Sequence, residues 1–199
     1  MSHEVAGRPL GPVFSALTRW AEGNAGPTAL FCWAAAEAVL LPVIPDVLLG
    51  LLVLAVPRRL PALFTALCLG SLAGSLALFG ITVVDPESVR GLLLALPGVD
   101  ARTLADATTT VAGGSPTCLL LFGAGIPLKV YTFAWANGLV SPLGFLPAVI
   151  LNRFSRILPL ALAEAVIGVA AAGFLRRHER TVLAIYVAAW VAVYALYLG

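Results

Sequence analysis

Charge is scarce in this 199-residue chain. Only 11% of its residues are Asp, Glu, Lys or Arg, against about 25% in a soluble domain. Hydrophobic residues make up 60%, and the mean hydropathy is +0.99. This balance excludes a soluble globule with a large core and points to an integral membrane protein. The formal net charge of +2 is too small to suggest nucleic acid, and no basic patch interleaves with aromatics. Histidine is nearly absent: His3 and His178 both lie outside the apolar runs. Cys32, Cys68 and Cys118 form neither a metal-ligand spacing nor a disulfide framework, and read as small buried hydrophobes. There is no Ser/His/Asp set and no glycine-rich phosphate loop after a strand. Neither an enzyme, a metal site nor a cofactor is therefore expected. No leader is expected either, because the first long apolar run starts near Pro27, after a segment holding His3, Glu4, Arg8, Arg19 and Glu22.

The few charges that are present are oddly placed. Glu37, Asp46, Lys129, Arg153, Arg156 and Glu164 sit inside long apolar runs. An ionisable group in hydrocarbon costs several kcal/mol or more, so it usually has a function there.

The pattern along the chain predicts a short interfacial helix over 12–22, with Val13, Leu17, Trp20 and Ala21 on one face, ended by Asn24-Ala25-Gly26-Pro27. An apolar run over 28–56 is interrupted at Pro42 and Pro45, so it is either a kinked span or a re-entrant hairpin. A full span is expected over 60–84, with small residues from Gly70 to Ala77 for close helix approach. Residues 85–115 read as two external surface helices joined at Pro97-Gly98, with Asp85 starting the first, Asp100 as a possible cap, and a loop from Thr108 to Pro116. The run 117–140 is interrupted at Gly123, Gly125 and Pro127. Spans are expected over 143–175 and 181–198, the latter with an interfacial aromatic end of Tyr186, Trp190, Tyr194 and Tyr197.

Ile44-Pro45 and Ile126-Pro127 stand 82 residues apart in two runs of similar outline. Paired Gly/Pro-interrupted segments point to a transporter with inverted repeats. If both interrupted runs return to their own side, Arg8, Arg19, Arg58, Arg59, Arg176, Arg177 and Arg180 share one face. Arg90 and Arg102 then lie on the other with four acids. This satisfies the positive-inside rule and places the N-terminus in the cytoplasm. The expected fold is a single all-α integral membrane domain of inverted repeats, each a re-entrant hairpin plus a transmembrane helix, with an extra C-terminal transmembrane helix.

Each inner charge has a structural and a functional reading. Asp46 is either a helix N-cap or, with Glu37, a proton-coupling acid. Lys129 either snorkels outward or binds an anion. Arg153 and Arg156 share a helix face, with Arg153 about 15 Å past Leu143 at 1.5 Å per residue. They face either internal carboxylates or a ligand phosphate, which suits the guanidinium fork. Glu164, eleven residues beyond Arg153, is expected to be a structural arginine partner.

Glu37 through Asp46, with its Pro-x-x-Pro-Asp break, resembles the first hairpin of the DedA family (VTT or SNARE-associated domain). Phe122-Gly123-Ala124-Gly125-Ile126-Pro127-Leu128-Lys129, followed by Asn137-Gly138, resembles its second. The resemblance covers residues 28–172. It implies two re-entrant hairpins and a lipid translocase, a flippase or scramblase, with Glu37 and Asp46 as the matching acids. Its substrates would be undecaprenyl phosphate, as for bacterial members, or a phospholipid. The chain departs from the family in having Ala124 and Lys129, where arginines flank the second break. The resulting expectation is a multi-pass protein of the bacterial cytoplasmic membrane that moves a lipid phosphate, with Lys129, Arg153 and Arg156 holding the phosphate and protons as partners. A proton-coupled carrier of a small anion or solute, and a non-transporting scaffold, are the alternatives. A homo-oligomer is left open.

Overall fold

The computed structural model describes residues 11–112, 126–138 and 142–198, and these are helical, with turns and no strand. Gly123 and Gly125, two of the expected breaks, lie outside them. The helices run α1 (Pro12–Glu22), α2 (Ala25–Val39), α3 (Asp46–Ala55), a 3-10 turn (Pro57–Arg59), α4 (Leu60–Val84), α5 (Pro86–Leu94), α6 (Ala101–Ala112), α7 (Leu128–Asn137), α8 (Pro142–Arg156), α9 (Leu158–Ala170), α10 (Ala172–Arg177) and α11 (Glu179–Leu198).

Among the described residues, two helical stretches are long and apolar enough to cross a membrane, Pro57–Val84 and Gly144–Ala170. The second joins α8 and α9 through Ile157. Helical bonds cross the joint, Ile157 N–H to the Arg153 carbonyl and Ala161 N–H to the Ile157 carbonyl. Pro159 lacks an N–H for the Ser155 carbonyl, which bends the helix without ending it. By contrast α2 (15 residues) and α3 (10 residues) are about 22 and 15 Å long, short of the roughly 30 Å hydrocarbon thickness. Large apolar residues such as Val166, Val169, Ile185 and Val191 are exposed on the outside of α9 and α11.

Several details differ from the sequence expectation. Helix α2 starts at Ala25, because Pro27 is tolerated in a first turn. On α1 the buried positions are Phe14 and Ala21, while Val13 and Trp20 face outward. Residues 108–112 continue α6 instead of forming a loop. The hydroxyls of Thr108, Thr109 and Thr110 donate to the carbonyls of Leu104, Ala105 and Asp106, so they do not compete with the helix for its N–H groups.

Two apolar cores sit toward opposite ends of α4. One gathers Leu30, Leu49, Leu63 and Leu67 with Ile157 and Ala161. The other gathers Leu78, Val89, Leu93, Leu104, Tyr131 and Phe145. Helix α2 lies along α4 with backbones in near contact. A Cβ added at Gly70 would overlap the backbone of Phe31, and one at Gly74 the backbone of Ala35. Arg59 donates to the Ala21 and Glu22 carbonyls at the end of α1, and Arg58 pairs with the Glu22 carboxylate. The Glu179 carboxylate accepts the Phe14 N–H at the start of α1. Arg90 and Arg102 are carried on α5 and α6, which follow α4 in the chain.

Beyond α4, Asp85 accepts the Ser88 N–H at 3.1 Å and Asp100 the Thr103 N–H at 2.7 Å. Gly98 turns the chain between these helices at φ 75°.

Two predictions follow from this packing. Gly70→Ala or Gly74→Ala should cost about 1–3 kcal/mol through overpacking. Gly80, with nothing near its Cβ position, should gain up to about 1 kcal/mol as alanine. Unfolding in detergent micelles reads both. The Ser88 and Thr103 hydrogen bonds hold the Asp85 and Asp100 carboxyls below their usual range. A depressed folded pKa stabilises above the unfolded value, about 3.9, and that stabilisation is lost as pH falls below it. Amide exchange at Ser88 and Thr103, compared with Asp85→Ala and Asp100→Ala, should show the two caps releasing only in acid.

Candidate functional site

Residues 40–45 are the local cause of the site. Proline has no N–H, so Pro42 and Pro45 leave the Ala38 and Leu41 carbonyls without their helical donors. The helix ends after Val39, and Asp46 restarts it as α3 with Pro45 at the cap position. Side chains from distant elements satisfy the opened backbone. The Lys129 ammonium, from the start of α7, donates to the Leu41 carbonyl at 2.6 Å. The Trp33 indole donates to the Val43 carbonyl at 2.9 Å. The Tyr194 hydroxyl, from α11, accepts the Ile44 N–H at 2.7 Å.

Next to this break, Arg153 of α8 donates to Glu37 of α2 at 2.5 Å. Both are nearly fully buried, Glu37 at 4% and Arg153 at 5% exposure. Arg156, one turn on, is exposed and has no ion pair among the described residues. Asp46 Oδ1 is buried and unbonded, and Asp46 makes no capping hydrogen bond. This removes the N-cap reading, since Pro45 takes the cap position and Asp46 falls in the first turn. There its charge is favoured by the helix dipole instead.

Five of the six inner charges line one cavity of about 280 Å³: Glu37, Asp46, Lys129, Arg153 and Arg156. Pro42 and Pro127 line it too, with apolar residues from both cores and Tyr194. Pro127 stands just before α7 in extended conformation, at φ −62° and ψ 145°. At the break, Leu40, Leu41 and Val43 are exposed at 43%, 44% and 39%.

Two expectations need correction. Lys129 does not snorkel: it is 2% exposed and its ammonium is engaged at Leu41. Among the described residues Glu164 pairs with no arginine. Eleven residues of helix put it about 16 Å along from Arg153, on the same face but out of reach. Its carboxylate instead lies 3.4 Å from the Tyr186 hydroxyl, in the notch left by Gly50.

Sequence reasoning missed Trp33 as a partner of the break, and placed Tyr186 and Tyr194 in an interfacial belt. The two tyrosines in fact turn inward onto the start of α3. The spacing of Tyr186, Trp190 and Tyr194 at four-residue intervals was the available signal, since it marks one helix face.

Removing one partner of a buried pair leaves an uncompensated charge and costs about 3–5 kcal/mol. Glu37→Gln or Arg153→Gln should therefore each destabilise strongly in detergent unfolding. The double variant should recover most of the loss, as a double-mutant cycle will show.

Comparison with known proteins adds no relative: no family model matches the chain, and neither does a curated protein or a solved structure.

Proposed function

We propose that the chain is a multi-pass protein of a bacterial cytoplasmic membrane that moves a lipid phosphate from one leaflet to the other. The observation that carries this reading is the convergence of five inner charges, from three separate apolar runs, on one cavity at a helix break. In this reading 28–56 and 117–140 are re-entrant hairpins of two inverted repeats, and 60–84, 143–175 and 181–198 cross fully. Helices α2, α3 and α7, each too short to cross alone, fit that arrangement. Non-helical backbone at membrane depth is tolerated where protein or water covers it, and the partners of residues 41–44 provide that cover.

Three cations and two carboxylates leave the cavity one positive charge in excess, which suits a phosphate. Arg156, exposed and without an ion pair among the described residues, makes the first contact. Arg153 is held by Glu37 until the phosphate competes for its guanidinium fork. Proton uptake at Asp46 changes the balance and resets the site, which couples transport to protons. The apolar residues around the charges, and the exposed Leu40, Leu41 and Val43 at the helix break, favour a substrate with an acyl or prenyl chain over a free solute. The resemblance to the DedA family agrees with this reading.

The test is reconstitution in liposomes with a labelled polyprenyl phosphate and a labelled phospholipid. Arg156→Ala removes one charge-assisted contact worth about 1.5–3 kcal/mol, so flipping should fall roughly tenfold to a hundredfold. Movement of neither lipid, with or without a pH gradient, would overturn the reading in favour of a small anion or a scaffold.

A further inference from the structure

A second polar node lies one turn along α3 from the cavity. Positions four apart on a helix are neighbours, with Cβ atoms about 5–6 Å from each other. Asp46 occupies one such position and Gly50 the next. A Cβ at Gly50 would overlap Glu164 Oε1 and the Tyr186 hydroxyl, so both groups sit where a side chain would be. Glu164 is 8% exposed. The Tyr186 hydroxyl lies 3.0 Å from the Val47 carbonyl and 3.4 Å from Glu164 Oε1.

A hydroxyl carries one proton, and both neighbours are acceptors when the carboxyl is ionised. The nearer acceptor, Val47, takes the tyrosine proton. Glu164 Oε1 has only the longer, shared contact with that hydroxyl at 3.4 Å, so the buried carboxyl is poorly supplied with donors and has room for a proton of its own. Asp46 is within electrostatic reach of Glu164, and also of Glu37, Arg153 and Arg156. It therefore stands between the cavity and this node.

We propose that Glu164, seated in the Gly50 notch against the Tyr186 hydroxyl, is a second proton-binding site that exchanges protons with Asp46. The proton leaves one carboxyl as the other accepts it, so charge is conserved within the pair. Asp46 lies one turn before the Gly50 notch on α3, and Tyr186 reaches Glu164 from α11. Of the other elements packed on α9, α4 brings Cys68, α8 brings Arg153 and Arg156, the 3-10 turn brings Arg58 and Arg59, and α10 ends in Arg177. The inference rests on the proton coupling proposed above, and gives that coupling a route away from the cavity along α3 and α9.

Infrared difference titration of the full chain in detergent tests it without any lipid transport, so its failure and that of the translocase reading are distinguishable. Glu164→Gln should remove one titrating carboxyl band, and Asp46→Asn should move the midpoint of that band by about one pH unit or more, as a charge within this reach does. Tyr186→Phe deletes a single hydroxyl and should shift the same midpoint, which keeps the test valid if Glu164→Gln does not fold. A carboxyl spectrum unchanged by Glu164→Gln, or a midpoint indifferent to both Asp46→Asn and Tyr186→Phe, would overturn the proposal and leave Glu164 a static acceptor.

Discussion

The structure depends on how the backbone is satisfied where the chain stops being helical between Leu40 and Pro45. An unpaired backbone group costs most where no water reaches it. Here α7 sends a lysine, α11 a tyrosine and α2 its own tryptophan to the same short stretch. Elements separated by as many as 150 residues are thereby fixed around it. The break is thus a docking point, and the cavity is the space left between the groups that meet there.

This explains an asymmetry among the inner charges. Lys129 is engaged by main chain and Arg153 by Glu37, whereas Arg156 lines the cavity with no ion pair among the described residues. A buried ion pair is weak evidence for stability, since its desolvation cost can exceed its attraction. Beside the exposed Arg156, such a pair fits the role proposed above, in which the carboxylate orients Arg153 and yields it to a stronger anion.

Much of this was legible in the sequence. The prolines at 42 and 45, the aspartates at 85 and 100 and the apolar run of α4 act through the adjacent chain, and local chemistry located them. Glu37, Asp46, Lys129, Arg153 and Arg156 were conspicuous because charge is rare in such runs. Pairings were not legible. That Lys129 meets Leu41, or that Glu164 meets Tyr186, depends on where helices far apart in sequence come to lie. The error at Glu164 shows why: a shared helix face says which way a side chain points, but the rise along the axis decides whether it can touch its partner. The threonines of α6 misled for a related reason, because a residue that favours loops is harmless in a helix once its hydroxyl bonds back to the preceding turn.

The glycine notches on α4 also constrain motion. Gly70 and Gly74 seat the backbone of α2 so closely that neither helix can slide along the other without a Cβ or a carbonyl being driven into its neighbour. Helices α2 and α4 therefore behave as one stiff strut, and Glu37, carried on it, is a stationary reference for the cavity. Any widening of the cavity must then move the elements that bring its other walls, namely α3, α7, α8 and α11, and not the strut itself.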